Sequence, residues 1–291
     1  MKTVVFGGSG FLGSHVADEL TNRGHQVTIF DLRPSPYISK QQSMVVGDIT
    51  DTDLVRTVLE DTDVAYQFAD MADLDGATTK PVETIKRNVL GTATLLTAAV
   101  DASVKRFVYA STVYVYSDLG GFYRCSKQAG EIYVEEYQRQ YGLNCTILRY
   151  GSLYGPRADS RNSLFRYLKQ ALAEHRILYA GLETDVREYI HVRDAARLSV
   201  DALGDEFKGC HIVISGNHPT KATDLLKMIE EILNRPLHIE YANVPSRSHY
   251  AITPYSFTPK VGDKLVSNRY TDMGQGLLEC LHEIHASGTS S

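Results

Sequence analysis

Short apolar runs rich in β-branched residues alternate with longer segments of helical periodicity from Thr3 to Leu148, and this alternation constrains the fold most strongly. Parallel strands that are buried on both faces read as continuous apolar runs, and the helices between them form right-handed crossovers. The pattern therefore predicts an α/β fold with a doubly wound parallel sheet covered by helices on both faces. The strands are predicted at Thr3–Phe6, Gln26–Phe30, Met44–Val46, Val64–Phe68, Arg106–Ala110 and Cys145–Leu148, and the helices at Leu12–Arg23, Asp53–Leu59, Val82–Ala102 and Ser126–Tyr141.

The pattern becomes less regular after Arg149. Tyr150–Arg161 is rich in glycine, proline and polar residues and is predicted to be a loop. Helices are predicted at Ser163–Glu174, Lys221–Leu233 and Gln275–Ala286, and returning strands at Val186–Val192 and His211–Ser215. We expect residues 1–152 and about 186–217 to form the sheet domain, and about 153–185 and 218–291 to form a smaller C-terminal lobe.

Composition excludes several classes of function. The 291 residues carry a net charge of −5, with an isoelectric point near 6.1, which argues against a general nucleic-acid or membrane-surface binder. No apolar run approaches the ~20 residues of a membrane span. The segment before the first glycine turn, Met1–Phe6, is too short and wrongly flanked for a signal peptide. We therefore expect no nucleic-acid partner and no membrane association.

The four cysteines are far apart, and none forms a Cys-x-x-Cys pair or lies near metal-spaced histidines. This distribution is typical of reduced structural thiols, and it predicts a cytoplasmic protein without a metal site. The cysteines are Cys125, Cys145, Cys210 and Cys280.

A glycine-rich turn joins the first predicted strand to the first predicted helix. Gly7, Gly10 and Gly13 allow the backbone to turn tightly and to approach a pyrophosphate, which the helix N-terminus then faces. Asp31 ends the second strand 18 residues after Gly13, near the offset at which an acid binds the adenosine ribose. This acid favours NAD over NADP, although Arg33 could tolerate a 2′-phosphate. The alternative is a tight turn without a ligand.

A second motif places Tyr123 and Lys127 four residues apart on one helix face. A nearby ammonium favours the phenolate, so we expect Lys127 to lower the pKa of Tyr123 towards working pH. Thr112 follows an apolar strand, and its hydroxyl is expected to bind the same substrate oxygen. A tyrosine and a lysine at this spacing also commonly decorate a half-buried helix, which is the alternative.

These motifs together resemble the extended short-chain dehydrogenases/reductases of the NAD-dependent epimerase/dehydratase group. The resemblance covers nearly the whole chain and is strongest from Met1 to Asp194. Further segments carry it: Asn88–Thr92 resembles a helix motif of the family, Arg149–Arg157 its loop after the sixth strand, and Arg187–Asp194 its late signature.

The resemblance implies a Rossmann domain that binds NAD and a smaller C-terminal lobe that binds a nucleotide sugar. It implies that Thr112, Tyr123 and Lys127 are catalytic. The implied cofactor-binding residues are Gly7, Gly10, Phe11, Leu12, Gly13, Asp31, Arg33, Asp48, Ile49, Ala69, Asn88, Ser111, Tyr123, Lys127 and Tyr150. The implied substrate-binding residues are Thr112, Ser152, Asn162, Arg187 and Arg247.

Some of these residues have a structural alternative. Asn88 could cap or bridge locally, and Arg187 could be a solvated surface charge or pair with Glu183 or Asp194. His191, between Ile190 and Val192, is expected to be a packing histidine.

The sequence departs from the family pattern in two places. Only ten residues separate Thr112 from Tyr123, so the family's longer loop beside the sugar is absent. Val113 and Tyr114 occupy the positions of the Asp-Glu pair that carries water elimination in the family's dehydratases, which disfavours dehydration.

The leading hypothesis is therefore epimerisation at C4 of a UDP- or similar nucleotide-hexose through a transient keto-sugar. The alternatives are a reductase or dehydrogenase of a keto-sugar or small carbonyl compound, and a dinucleotide-binding protein without activity. The resemblance also implies a homodimer built on the two long helices, Val82–Ala102 and Ser126–Tyr141; packing on the sheet would satisfy their apolar stripes equally well.

Overall fold

A computed structural model describes residues 1–72, 74–242 and 251–254, without the side chains of Leu74, Asp75 and Thr78. The predicted helix Gln275–Ala286, the candidate ligand Arg247 and Cys280 lie outside these residues.

Twelve strands and nine α-helices make up the regular structure of the described residues. The strands are β1 (Lys2–Phe6), β2 (Gln26–Asp31), β3 (Gln42–Val46), β4 (Val64–Gln67), β5 (Arg106–Thr112), β6 (Cys145–Tyr150), β7 (Ser152–Tyr154), β8 (Arg176–Tyr179), β9 (Val186–His191), β10 (His211–Ile214), β11 (Pro219–Lys221) and β12 (His238–Tyr241). The helices are α1 (Phe11–Asn22), α2 (Thr52–Leu59), α3 (Leu74–Thr79), α4 (Pro81–Thr84), α5 (Gly91–Asp101), α6 (Gly121–Tyr141), α7 (Ser163–Glu174), α8 (Val192–Asp201) and α9 (Ala222–Leu233).

Seven parallel strands form the central sheet in the order β10-β6-β5-β4-β1-β2-β3. The chain proceeds outward from β1 through β2 to β3, and then returns to β4 and proceeds in the opposite direction. The strand order reverses between β1 and β4, and open α/β sheets bind ligands beyond the carboxyl ends of their strands at such a point. The doubly wound parallel sheet expected from the sequence is confirmed.

Helices cover both faces of this sheet, and each face has its own apolar core. One core joins Phe6 and Phe107 of the sheet to Leu95 of α5 and Val134 of α6. The other joins Val5 of the sheet to Leu20 of α1 and Ala195 of α8. Most of the strand residues are therefore buried, which explains why the strands read as continuous apolar runs.

A third apolar cluster lies outside the sheet. It packs Tyr167 of α7 and Leu226 of α9 around Tyr179 of β8, which pairs in parallel with β12. All described residues belong to one compact unit. The division into a cofactor-binding domain and a substrate-binding lobe stays a prediction.

Several predicted boundaries differ from the observed ones. β5 extends to Thr112 and α6 begins at Gly121, so both motifs next to the cleft lie on regular elements. The predicted loop Tyr150–Arg161 contains the short strand β7, which pairs with β9. The predicted helix Val82–Ala102 is instead α4 and α5 joined by a π-helical turn at Ile85–Leu90. Periodicity does not detect a three-residue strand or a single widened helical turn.

Close packing of α6 on β5 generates a stability prediction. A Cβ at Gly130 of α6 would lie 2.0 Å from the Tyr109 hydroxyl oxygen, and Tyr109 is fully buried in β5. Alanine normally stabilises a helix interior relative to glycine by up to about 1 kcal/mol. We expect Gly130→Ala instead to lower the free energy of unfolding by about 1–3 kcal/mol, the usual cost of overpacking.

Urea denaturation of the variant measures this change. In a Tyr109→Phe background, which removes the nearest oxygen, the cost of Gly130→Ala should fall by about 1 kcal/mol. An equal cost in both backgrounds would show that the Tyr109 hydroxyl is not the obstacle.

Candidate functional site

A cleft of about 630 Å³ lies at the carboxyl ends of the central strands. Sixteen of the residues singled out from the sequence line it, although they come from distant parts of the chain. They are Gly7, Gly10, Phe11, Leu12, Gly13, Asp31, Arg33, Asp48, Ile49, Ala69, Ser111, Thr112, Tyr123, Lys127, Tyr150 and Asn162. The parallel sheet brings these residues together because successive strands end at the same edge.

The glycine turn between β1 and α1 has no room for side chains. Gly7 has φ +82°, and a Cβ there would lie 2.4 Å from the Ala69 backbone nitrogen. A Cβ at Gly13 would lie 2.3 Å from the Gly7 carbonyl oxygen. No side chain caps the start of α1, so its first N–H groups can face an anion in the cleft.

Asp31 lies at the end of β2 and is held towards this turn. Its carboxylate accepts a hydrogen bond from the Ser9 backbone N–H at 3.0 Å, while the Ser9 hydroxyl donates to the Arg33 carbonyl at 3.0 Å. A carboxylate has two acceptor oxygens with about four lone-pair sites, so this bond does not exhaust its capacity to bind ribose hydroxyls.

Asp48 follows β3 on the same side of the cleft. Its carboxylate accepts hydrogen bonds from the Thr50 backbone N–H at 2.9 Å and from the Thr50 hydroxyl at 2.8 Å. The backbone bond, against the opposing effect of burial, lowers the pKa of Asp48. The Asp48 carboxylate is therefore held in place as an anion on this side of the cleft. Ile49 beside it packs against Gly91 at the start of α5.

Thr112, Tyr123 and Lys127 converge on the opposite side of the cleft. Thr112 ends β5 and lies beside Tyr123, which is in the first turn of α6. The Thr112 hydroxyl oxygen accepts a hydrogen bond from the Tyr114 backbone N–H at 3.3 Å. Lys127, one turn later, is only 2% exposed. Its ammonium lies 5.8 Å from the centre of the Tyr123 ring and donates a hydrogen bond of 2.7 Å to the Ala110 carbonyl.

Burial decides the protonation of Tyr123 in the described structure. Desolvation raises the pKa of Tyr123 above its ordinary value, and the Lys127 charge lowers it by less. The net direction is therefore opposite to the one expected from the sequence. Lys127 acts in the expected direction, but the spacing of two residues does not reveal how dry their surroundings are.

Asp70 is the main residue of the site that the sequence reasoning missed. It lies shortly after β4 and lines the cleft, and its carboxylate is 2.6 Å from the Lys127 ammonium. Burial by itself lowers the pKa of Lys127, but Asp70 and the nearby phenols raise it above its ordinary value. An acid shortly after a buried strand was the available signal, since strand ends share one edge of the sheet.

Tyr114 also lines the cleft. It lies in a 3₁₀ turn, Val113–Tyr116, directly after β5, and its ring meets the Tyr123 ring edge-on at 6.5 Å. Arg124 holds the following segment by donating to the Ser117 carbonyl at 2.7 Å. Asp159 and Arg161 also line the cleft and were not singled out from the sequence.

Asn88 does not line the cleft. Its side chain is buried, donates to the Ser126 hydroxyl at 2.9 Å and accepts from the Met71 N–H at 2.7 Å. It therefore joins the π-helical turn to α6 and to the segment after β4. This is the bridging geometry that the sequence left open, and a direct role towards the cofactor stays a prediction.

Arg187 and Ser152 also lie outside the set of residues that line the cleft. Arg187 is only 7% exposed and pairs with Asp185 at 3.5 Å, so it is not the solvated surface charge that the sequence left open as an alternative. Their roles towards a substrate stay predictions.

Asn162 lines the cleft but also has a structural role. Its side chain caps α7 by accepting from the Phe165 N–H at 3.1 Å, and it donates to the Leu153 carbonyl at 2.7 Å. His191 similarly caps α8 through the Arg193 N–H and packs edge-on against Tyr154.

The described residues lack two further features. None of their helices is long and apolar enough to cross a membrane. Across the same part of the chain, histidine, cysteine, aspartate and glutamate side chains do not gather in groups of three or more that could hold a metal ion.

Comparison with known proteins matches residues 3–215 to the NAD dependent epimerase/dehydratase family. The names of three curated relatives describe three different reactions. The dTDP-glucose 4,6-dehydratase of Mycolicibacterium smegmatis is 26% identical over 97% of this chain and 92% of its own length. The UDP-N-acetyl-alpha-D-glucosaminuronate decarboxylase of Bacillus cytotoxicus is 26% identical, covering 84% of each chain. The putative UDP-glucose 4-epimerase of Methanocaldococcus jannaschii is 27% identical over 78% and 81%.

A solved structure matches the fold. The UDP-glucose 4-epimerase of Thermotoga maritima superposes with a TM-score of 0.80 at 24% identity, covering 89% of this chain and 90% of its own. At this identity the match shows only that the two proteins share an architecture.

The position of Asp31 generates a prediction about dinucleotide preference. We expect Asp31→Asn to weaken NAD binding about tenfold or more, because bonds from ribose hydroxyls to a carboxylate are stronger than those to an amide. Loss of the charge should also reduce the discrimination against NADP. Titration calorimetry with both dinucleotides measures the two effects.

Asp159→Asn is the matched control, since Asp159 also lines the cleft but pairs with Arg161 at 2.6 Å. Unchanged NAD affinity in Asp31→Asn would remove Asp31 from the cofactor site.

Proposed function

Because the chain belongs to the NAD dependent epimerase/dehydratase family, we propose that this NAD-dependent enzyme inverts C4 of a nucleotide-hexose, with a UDP-sugar or a similar nucleotide sugar as its substrate. The observation that carries the proposal is the convergence of Thr112, Tyr123 and Lys127 in one cleft, whose described carboxylates each have a partner already.

The relatives support the substrate class. All three act, by their names, on a hexose or its acid linked to a nucleoside diphosphate, although the reactions differ. Family membership therefore favours a nucleotide sugar and leaves the reaction to be argued from the residues of the cleft.

The charged groups of the cleft favour epimerisation over dehydration. Elimination of water needs an acid and a base beside the sugar in addition to the tyrosine. The four carboxylates that line the described cleft each have a partner: Asp31 bonds Ser9, Asp48 bonds Thr50, Asp70 bonds Lys127 and Asp159 bonds Arg161. Val113 and Tyr114 follow Thr112 where the dehydratases carry their acids. Epimerisation needs no further acid or base.

The residues around the glycine turn fit NAD. A Cβ at Gly7 or Gly13 would collide with backbone atoms, so the turn stays open to a pyrophosphate, and Asp31 lies where the ribose is expected. When bound, NAD supplies the reversible oxidation of the C4 carbon. The remaining steps belong to the side chains of the protein.

Tyr123 is proposed to move the proton. As the phenolate, its oxygen takes the proton of the C4 hydroxyl and becomes the neutral phenol, which later returns that proton, while the Thr112 hydroxyl beside Tyr123 holds the same substrate oxygen. The Lys127 ammonium stabilises the phenolate that exists before the proton is taken and again after it is returned. Burial of this trio excludes water from the keto-sugar. The keto-sugar must rotate within the cleft before it is reduced from its other face.

Other residues are proposed to bind the rest of the substrate. Asn162 lines the cleft and is the proposed contact to the phosphates. Ser152, Arg187 and Arg247 stay candidates because of the family pattern alone. The other residues that the family resemblance implies at the cofactor are proposed as cofactor contacts. They are Gly10, Phe11, Leu12, Arg33, Asp48, Ile49, Ala69, Asn88, Ser111 and Tyr150.

The test is NMR of the purified protein incubated with a panel of nucleotide-hexoses and nucleotide-hexuronates and a catalytic amount of NAD. We expect a C4-inverted product from at least one sugar without net formation of NADH. Tyr123→Phe should lower turnover by about 10²–10⁴-fold, because the proton carrier is lost. Tyr141→Phe, an exposed tyrosine at the end of the same helix, serves as the control and should retain turnover.

Other outcomes of this panel would overturn the proposal. Net consumption of NADH or NADPH with a keto-sugar would identify a reductase instead. Binding of NAD without turnover of any sugar, together with unchanged NAD binding in Tyr123→Phe, would favour a protein that only binds a dinucleotide.

We also propose a homodimer that pairs the α4–α5 segment and α6 with the same elements of a second copy. Exposed apolar side chains on both elements support this, among them Val82, Leu90 and Ile132. Ile132→Glu is expected to yield a monomer in light scattering coupled to size exclusion, because a charge would be buried in the interface. Ile232→Glu on α9, where the isoleucine is also exposed, should remain a dimer. A dimer in both variants would contradict this interface.

A cytoplasmic location is proposed from the thiols. Cys125, Cys145 and Cys210 are all free in the described structure, and Cys125 is exposed. Unpaired exposed thiols are typical of a reducing compartment.

A further inference from the structure

We propose that Asp70 is a positioning residue of the catalytic site, which orients the Lys127 ammonium and offsets its charge at Tyr123. The proposal rests on the proposed role of Tyr123 as the proton carrier. The ion pair between Asp70 and Lys127 has no role in the mechanism proposed for Tyr123.

The geometry around Lys127 carries the proposal. The ammonium has three N–H groups, of which one is directed to the Asp70 carboxylate at 2.6 Å and one to the Ala110 carbonyl at 2.7 Å. One acceptor lies in the segment after β4 and the other in β5, so the ammonium is fixed from two neighbouring parts of the sheet. The third N–H group is left to serve a ligand in the cleft.

Charge gives Asp70 a second effect. An ammonium favours a phenolate near it, and a carboxylate bound to that ammonium cancels part of the attraction. The pair is largely dry, with 2% of the Lys127 side chain and 12% of the Asp70 side chain exposed, so water screens it weakly. Asp70 therefore keeps Tyr123 in its phenol form to a higher pH than Lys127 alone would.

The other titratable groups around the pair do not replace Asp70. Tyr109 of β5 and Tyr114 of the 3₁₀ turn face Tyr123, and Tyr150 of β6 faces Lys127, but all three are phenols and uncharged below their own ionisation. Glu131, one turn beyond Lys127, is bound by Arg149 at 2.6 Å and by the Ser111 hydroxyl at 2.5 Å. Asp70 is thus the carboxylate that contacts Lys127 among the described residues.

The effects on Tyr123 agree in sign with this geometry. Burial is the largest influence and raises the pKa of Tyr123, Lys127 lowers it, and Asp70 raises it again. Removing the negative charge of Asp70 should therefore move the ionisation of Tyr123 to lower pH.

Asp70→Asn is the decisive variant because the amide keeps the shape and one acceptor oxygen but loses the charge. The probe is biosynthetic 3,5-difluorotyrosine followed by ¹⁹F NMR, since ring fluorination lowers phenol ionisation into the pH range of the folded protein. The Tyr123→Phe variant assigns the signal. We expect the Tyr123 midpoint to fall by about one pH unit or more in Asp70→Asn, a tenfold change in its ionisation equilibrium.

Two further variants separate charge from structure. Asp70→Glu retains the charge and should keep the midpoint near that of the parent protein. Asp159→Asn removes an equal charge that lines the same cleft but pairs with Arg161, and should leave the midpoint in place.

The pH profile of turnover gives the second readout. In Asp70→Asn the limb that rises with pH should be displaced to lower pH by the same amount as the NMR midpoint. If both midpoint and limb stay within about 0.3 pH unit of the parent protein, or if Asp159→Asn shifts them equally, the proposal is overturned. A uniform loss of rate without displacement would indicate a structural role only.

The NMR titration contains no sugar. A failure to find a substrate therefore leaves the result for Asp70 intact, and an unmoved midpoint leaves the proposed epimerisation intact.

Discussion

Parallel pairing of β1 with β2 on one side and with β4 on the other is the constraint on which the site depends. Phe6, at the end of β1, lies opposite Phe30 and Gln67, so the carboxyl ends of the three strands are level. The chain leaves each of these ends into a turn that lines the cleft. The strand order reverses at this place, which separates the crossover helices and leaves room for a ligand.

The two sides of this cleft are built on different physical principles. The glycine turn offers backbone N–H groups and has no room for side chains at Gly7 and Gly13, so backbone dipoles can approach an anion there. The opposite side holds Tyr123, Lys127 and Asp70 in a dry environment, where each charge shifts the ionisation of its neighbours. In the proposed mechanism, fixed dipoles on one side contribute to binding the cofactor, while titratable groups on the other side move the proton.

Much of the fold and the site was predictable because each rests on a local pattern. Apolar runs placed the six strands from β1 to β6, and the glycine turn, Asp31, Thr112, Tyr123 and Lys127 all line the cleft. Features that are too short to set up a pattern, such as β7, or that only widen one turn of a helix, such as Ile85–Leu90, escaped detection. Asp70 escaped because its partner is distant in the sequence, and a local pattern does not record such a contact.

The sequence by itself determined the alternation of strands and helices, the glycine turn and the residue types of the proposed catalytic trio, because these depend on spacing along one element. Only the tertiary structure decided the burial of Tyr123, which reverses the expected direction of its pKa, and the pairing of Arg187 with Asp185. It also decided that the Lys127 charge is shared with Asp70. Desolvation and charge pairing depend on distances between segments far apart in the chain, and those distances exist only once the sheet has formed.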